Sequence, residues 1–393
     1  MSAAYAVLGG AFALGAYAFV GYPALLWALA RLRPRPVPAR GADEPLPSVT
    51  VTVPVHNEEE QVEGLLASLR GLEYPPDRLR VLIVSDGSTD RTNELVRAHE
   101  GRGVRLLRLP RRVGKTAAEA AAAREIRTEL VLNTDASVRL HPRALLELVE
   151  AFADPDVGVA SGRDVSVAAR RTPGNEGEEG YVGYEMAVRA LETRVSGIVG
   201  ASGSCYAILA SLHRLPLAGD LSRDFAAALR AREHGYRAVS VDDALCEVPR
   251  APSLRREYRR KVRTMVRGMR TLAAHAALLN PFRHGLFSWM LWSHKLARWA
   301  LPWAGLAAFA ALVALAPHAE WARVSLALCA ALPVAAAVAW WRDGRVPRVL
   351  ALPAWAVLGT VAAIHAAVRA LGAGQSAIWE PTRRDAAPPV EAT

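Results

Sequence analysis

The stretch "LVLNTDAS" (Leu130–Ser137) begins as a strand-like apolar run and stops abruptly on polar residues. Its one carboxylate is Asp135, and Ser137 stands two places on, where a second acid would complete a metal-binding pair. Such a strand end either holds a metal and a phosphate or simply runs into a turn. "SDGSTD" (85–90) poses the same question. Asp86 could accept a hydrogen bond from a nucleotide base, with Gly87 permitting close approach. Alternatively these residues form a turn, with Ser88 or Thr89 capping the next helix.

Two phosphate-binding signatures are excluded. "VGKT" (113–116) would need a glycine at position 109 to form a P-loop, and the chain has Leu109. No G-x-G-x-x-G follows the first strand, which removes the dinucleotide fingerprint. Lys115 remains, either as a positive charge near a diphosphate or as a solvated helix-start lysine. Cys205, Cys246 and Cys329 have no CxxC or paired spacing, which argues against a disulfide framework or a zinc site.

Alternating elements must position these groups. "SVTVTVPV" (48–55), "RVLIVSDGSTD" (80–90), "GVRLLRL" (103–109) and "ELVLNTD" (129–135) read as strands. Helical segments follow them at Asn57–Arg70, Thr89–Glu100, Lys115–Arg127 and Pro142–Phe152. This alternation predicts an α/β domain with a mostly parallel sheet covered on both faces, and ligands outside the carboxyl ends of its strands. "TPGNEGEEG" (172–180) reads as a polar loop, Gly180–Ser196 as a helix, and "GSCYAI" (203–208) as a short strand. A further helix is predicted from Arg223 to His234, with Gly235 as its left-handed cap.

The remainder is apolar or basic. Residues 1–30 contain no Asp, Glu, Lys, Arg or His, and a bilayer needs about 20 apolar residues. They read as an anchor in preference to a cleaved leader, because no basic segment precedes them. "RLRPRPVPARGADEPLP" (31–47) is a proline-rich linker. Three weakly charged runs, Trp299–Ala316, Val324–Trp341 and Val349–Val368, predict about three transmembrane helices within 286–372, followed by a tail at 373–393. Net charge is +10, but the arginines cluster beside the apolar runs, which favours membrane over nucleic acid and a cytoplasmic position for the domain between them. Leu254–Ala273, within the segment 251–285, has one basic and one apolar side and is expected at the membrane interface.

Five stretches occur in a telling order: "VPVHNEEEQVEGLLASL", "VLIVSDGSTDRTNELV", "GKTAAEAAAA", "VLNTDASVRLHPRAL" and "LSRDFAAALRAREHGYRAVSV". In this order they resemble family-2 glycosyltransferases, in particular membrane-embedded bacterial polysaccharide synthases. The likeness covers about Ser48 to Arg270. It implies a GT-A fold across 48–250, with a central sheet and attached transmembrane α-helices, acting as a hexosyl- or N-acetylhexosaminyltransferase. It implies a UDP-sugar donor, a growing glycan or membrane lipid as acceptor, and Mg2+ or Mn2+ as cofactor.

Carried over by position, His56, Asn57 and Glu58 would lie against the nucleoside, Asp86 would hold the base, and Lys115 would sit near uracil or phosphates. Asp135 matches the first aspartate of the DxD motif. Ser137 departs from it, and a hydroxyl is a poorer ligand for a hard cation than carboxylate. Asp224, in "SRD", matches the acid of "TED" and would be the general base of an inverting displacement. Its plainer reading is an acid favoured by a helix dipole. Arg260 and Arg263 in "RRKVRT" fit part of Q-x-x-R-W and could bind diphosphate, whereas the missing tryptophan weakens the case for processive synthesis. Gly203 and Ser204 belong to a segment resembling the acceptor side. "WEPTRR" (379–384) is similar to a tail motif, although four spans would place it outside. A transferase adding one sugar to a lipid, and a noncatalytic nucleotide-sugar-binding membrane protein or partner subunit, are the competing readings.

Overall fold

The computed structural model describes residues 1–38, 40–41, 44–101, 103–167, 173–249, 253–342 and 346–372. The tail motif at 379–384 therefore lies outside the described residues. Eight strands form one sheet: β1 (Val49–Val55), β2 (Leu79–Asp86), β3 (Val104–Leu109), β4 (Leu130–Thr134), β5 (Arg139–Leu140), β6 (Val157–Val167), β7 (Cys205–Leu209) and β8 (Arg237–Pro249). Their order is β3-β2-β1-β4-β7-β6-β8-β5. The first half, β3-β2-β1-β4, is parallel throughout. β7 runs antiparallel to both β4 and β6, whereas β6 and β8 pair in parallel.

Every residue of β1 is buried, as expected for a strand with helices on both faces. Val62, Leu65, Leu66 and Leu69 of α2 (Glu59–Arg70) fall on one helical stripe and join Val51, Val53 and Ile83 in the main core. α3 (Thr92–Arg97) starts later than the sequence suggests, because Ser88 to Asp90 are engaged with the end of β1. α4 (Lys115–Glu125) and α5 (Ala144–Glu150) lie close to their expected positions.

The segment read as a polar loop is instead the start of a long helix, α6 (Pro173–Val195). Pro173 at its first position has no N–H to leave unsatisfied. α7 (Arg223–Glu233) precedes Gly235, whose φ of +86° fits the cap expected there. The linker starts with the last residues of the helix Ser2–Leu32, Arg31 and Leu32, and its described residues beyond them form no helix or strand. It is pinned by the Arg35 amide to the Arg194 carbonyl (2.8 Å) and by Arg237 to the Pro36 carbonyl (3.1 Å).

Four helices are long and apolar enough to cross a membrane: α1 (Ser2–Leu32), α9 (Leu286–Leu315), α10 (Glu320–Trp341) and the Pro353–Leu371 part of α11 (Arg348–Leu371). α1 packs along α9. Each contains one widened π turn, at Tyr17–Gly21 and Trp292–Leu296, and the turns meet where the Tyr17 hydroxyl bonds Ser293 Oγ (2.6 Å). The basic amphipathic helix, α8 (Leu254–Ala274), has its apolar residues Val262 and Val266 against Ala362 and Ala366 of α11. Another helix covers the face that was expected to meet lipid.

Candidate active site

The carboxyl ends of β1, β2 and β4 lie side by side, because these strands are parallel neighbours. They do not all deliver side chains to one cavity. His56 Nδ1 hydrogen-bonds the Asp86 carbonyl (2.7 Å), and Asn57 Oδ1 accepts from the Thr89 amide (2.8 Å). Asn57 has a positive φ of 52°, a conformation that asparagine tolerates better than most residues. These two residues tie β1 to the loop after β2 and do not line the cavity. Only Glu58 of that trio does.

Asp86 does not line the cavity either: it is turned inward and only 2% exposed. Its two carboxylate oxygens accept from the Val113 (2.6 Å) and Gly114 (2.8 Å) amides, which fixes the loop ahead of α4. The close approach that Gly87 permits is to the chain's own backbone. A Cβ there would lie 2.7 Å from the Arg112 nitrogen, at a φ of +64°.

The other expected residues converge. Lys115, Asp135, Ser137, Gly203, Ser204, Asp224, Arg260 and Arg263 line one cavity of about 260 Å³. α4 begins at Lys115, and its ammonium donates to Asp135 Oδ1 at 2.5 Å. Burial works against the lysine's charge, but Asp135 and then Glu119 outweigh it and hold its pKa above the ordinary lysine value. Asp224 stands in the first turn of α7 and accepts from the Ser222 hydroxyl. Gly203 lets the preceding loop pass close, since a Cβ there would come within 3.0 Å of Asp224 Oδ2.

Four charged residues of the cavity were not among the expected site residues: Glu119, Asp164, Arg223 and Arg267. Glu119 is one helical turn after Lys115 and pairs with Arg223 Nε at 2.8 Å. Burial raises the Glu119 pKa, with Arg223 and then Lys115 pulling the other way. Arg223, where the resemblance has an acid, thus receives its acid from a different helix. Arg267 reaches across from α8 to Thr116 Oγ1 (2.8 Å), and Asp164 accepts from the Ser202 hydroxyl (2.8 Å). The sequence signals for these were the four-residue spacing of Lys115 and Glu119 and the place of Arg223 in "SRD".

Among the described residues no group of three or more His, Cys, Asp or Glu is arranged to hold a metal ion. A resident, protein-only metal site is therefore not what these residues make. One carboxylate and one hydroxyl on a strand end do fit a hard cation that keeps several waters and is bound largely through substrate phosphates. Asp135 and Ser137 both line the cavity and supply one such carboxylate and one such hydroxyl.

A mostly parallel sheet with a charged cavity at the carboxyl ends of its strands is the form of a GT-A fold. The profile of "Glycosyl transferase family 2" matches residues 50–202. An N-acetylglucosaminyltransferase of Bradyrhizobium elkanii is 37% identical over 126 residues, 31% of this chain and 68% of the relative. One from Sinorhizobium fredii is 35% identical over 131 residues, covering 32% of this chain and only 31% of that relative. Over nearly the whole chain, the structure is similar to the mannosyltransferase PcManGT of Pyrobaculum calidifontis, solved with GDP-Man and Mn2+. That match has a TM-score of 0.69 and 27% identity, covering 93% of this chain and 99% of the other. The chain belongs to glycosyltransferase family 2, and it is a glycosyltransferase.

Proposed function

We propose that this chain is an inverting membrane glycosyltransferase that moves a sugar from a nucleoside diphosphate donor to an acceptor hydroxyl at the cytoplasmic face. The observation that carries this reading is the single cavity shared by the Lys115–Asp135 pair, the arginines of α8 and Asp224. Lys115, Arg263 and Arg267 supply positive charge for the diphosphate, with guanidinium forks suited to phosphate oxygens. Asp135, assisted by Ser137, would hold a divalent cation that offsets charge on the leaving diphosphate. Asp224 takes the acceptor hydroxyl proton as the oxygen bonds to the anomeric carbon. The bond from that carbon to the phosphate oxygen breaks, and its electron pair leaves with the nucleotide. One displacement inverts the anomeric centre.

The donor reading is UDP-linked, from the sequence resemblance, and GDP-Man is the alternative because of the extensive likeness to PcManGT. The orientation reading is that α1, α9 and α10 cross the membrane, whereas α11 lies along α8 on the catalytic side. The test is nucleotide release by detergent-solubilised protein from a panel of UDP- and GDP-sugars, with lipid extract and with or without Mn2+. Asp135→Asn should abolish the metal-dependent part. Asp224→Asn should lower turnover by about 10²- to 10⁴-fold, the usual weight of general-base catalysis, while nucleotide affinity is kept. Retained configuration in the product, read by NMR, would refute inversion. Donor binding with no turnover for any donor and extract would favour a noncatalytic role.

A further inference from the structure

The catalytic domain meets the apolar helices through buried ionisable groups that the displacement does not use. His294 lies in the apolar stretch of α9, on the widened turn Trp292–Leu296, and is 2% exposed. Its Nδ1 stands 2.6 Å from Glu192 Oε1, and its Nε2 is bonded to Glu185 Oε1. Both glutamates belong to α6, a helix of the catalytic domain. The Tyr22 hydroxyl of α1 donates to the same Glu192 oxygen at 2.5 Å, and Arg298 of α9 donates to Glu185 Oε2 at 2.6 Å. Lys295 of α9 and Arg189, Tyr181 and Tyr184 of α6 are the other titratable groups beside this set. An ionised carboxylate only accepts, so a bond at each ring nitrogen needs a proton on each. Burial works against both carboxylate charges, but His294 outweighs it, with Arg298 adding to the effect on Glu185. Both glutamate pKa values therefore lie below the ordinary one.

Glu192 carries the contact onward. Its other oxygen, Oε2, accepts from the Val199 amide (3.3 Å), in the loop between α6 and β7. The next residues of that loop lie against the first turn of α7. A Cβ on Gly200 would come 3.2 Å from Phe225 Cδ2, and one on Gly203 would come 3.0 Å from Asp224 Oδ2. Val199 and Phe225 share one apolar cluster with Tyr22 of α1 and Met290 of α9. The two apolar helices, the loop and the start of α7 therefore pack as one unit. Ionisable groups in an apolar span are costly to keep, and the best-attested use of a buried polar bridge is to fix register between elements. Apolar contacts alone tolerate sliding, whereas a ring bonded at both nitrogens does not.

We infer that His294 is a positioning residue: by bridging Glu185 and Glu192 it fixes the Val199–Gly203 loop and, through that loop, the place of Asp224. The inference rests on the transferase reading, in which Asp224 must stand at a set distance from the acceptor hydroxyl. His294 touches no reacting atom and exchanges no proton in the displacement, whose bond changes are those given above. Lys115 and Asp135, on the donor side, come from α4 and the end of β4, which contribute nothing to the bridge. Loss of the bridge should therefore lower kcat and leave nucleotide binding intact.

The test compares His294→Asn with His294→Gln in the full chain in detergent. Asparagine brings its amide nitrogen near the Nδ1 position and keeps the Glu192 bond, whereas glutamine reaches the Nε2 position and keeps the Glu185 bond. Of the two glutamates, Glu192 is the one bonded to the loop. His294→Gln should lower kcat by about 10²-fold, the scale of a reacting group misplaced by about 1 Å, with donor KM and UDP or GDP affinity unchanged. His294→Asn should recover at least about tenfold of that loss. Amide hydrogen exchange, read by mass spectrometry, should rise over 198–204 and 223–226 in His294→Gln and stay native in His294→Asn. Equal kcat in the two variants, or native exchange in both, would overturn the positioning role. Should both lose nucleotide binding, and with it their fold, Tyr22→Phe decides. It removes one bond to Glu192 and should lower kcat about fivefold, the weight of one hydrogen bond, and a native kcat there would overturn the inference. A native chain that turns over no donor would sink the transferase reading, while the exchange result still decides whether the bridge orders the loop.

Discussion

Asp135 carries the metal question almost alone. Ser137 offers only a hydroxyl, and the Lys115 ammonium already sits 2.5 Å from the Asp135 carboxylate. A cation arriving without nucleotide would meet one carboxylate and a competing positive charge. Mn2+ should therefore bind weakly to the free protein and much more tightly with nucleoside diphosphate present. Ser137→Asp should strengthen Mn2+ binding to the nucleotide complex by about tenfold, the weight of one added charged ligand. Electron paramagnetic resonance of bound Mn2+ measures both. Equal affinity with and without nucleotide would contradict the two-donor reading. The lysine's pKa lies above its ordinary value, so its charge is lost only above the ordinary lysine range. The competition between ammonium and metal should consequently stay constant between about pH 6 and pH 9.

Pairings between elements explain what the sequence could and could not disclose. Arg223 of α7 and Glu119 of α4 are 10% and 4% exposed, and removing one partner of a buried pair costs about 3–5 kcal/mol. Arg223→Ala should lower thermal stability clearly, whereas Arg223→Met with Glu119→Leu should recover much of the loss. A double-mutant cycle on the solubilised protein reads the coupling. His213, buried after β7 with Nε2 3.1 Å from Asn133 Oδ1, is pushed down to about 3, first by burial and then by Arg223 and Arg214. A depressed histidine contributes stability above the unfolded value near 6.5 that is lost as pH falls from there toward 3. The loss is about 1.4 kcal/mol per pH unit. His213→Gln should flatten that acid slope in melting temperature. The parallel half of the sheet was legible because β1, β2 and β4 are β-branched runs ending on polar residues. Lys115, Asp135 and Asp224 were legible as chemistry by their order. Glu119 and Arg267 were not, because their partners come from helices far away in sequence. Nor was the engagement of His56, Asn57 and Asp86 with backbone groups of neighbouring loops. β6 and β8 were missed because Gly158, Gly162 and the Asp242–Asp243 pair interrupt their apolar pattern.

For the molecule as a whole, the last apolar helix decides which side the chain ends on. Composition alone makes α11 a fourth span, which would leave residues after 372 opposite the catalytic domain. Its packing argues otherwise. α11 runs beside α8 in the same direction, with Lys261 over the Trp355 ring (3.8 Å), Val262 and Val266 on Ala362 and Ala366, and Arg270 on the Gly372 carbonyl (2.9 Å). That same Arg270 bonds Asp220 (3.2 Å), four residues before Asp224. A helix of this length is about 36 Å long, so a crossing helix would carry its far end across the bilayer from the domain. Instead both its Trp355 turn and its last carbonyl touch α8, a helix too rich in arginine to enter hydrocarbon. With α1, α9 and α10 as the crossings, the Gly372 end of α11 would lie on the side of the catalytic domain. In a bacterial host, a green fluorescent protein fused after the last residue should fluoresce, and alkaline phosphatase fused there should be inactive. Truncation after α10 should leave its fusion on the same cytoplasmic side, because α11 changes no sides. An active phosphatase on the full chain would instead establish α11 as a fourth span.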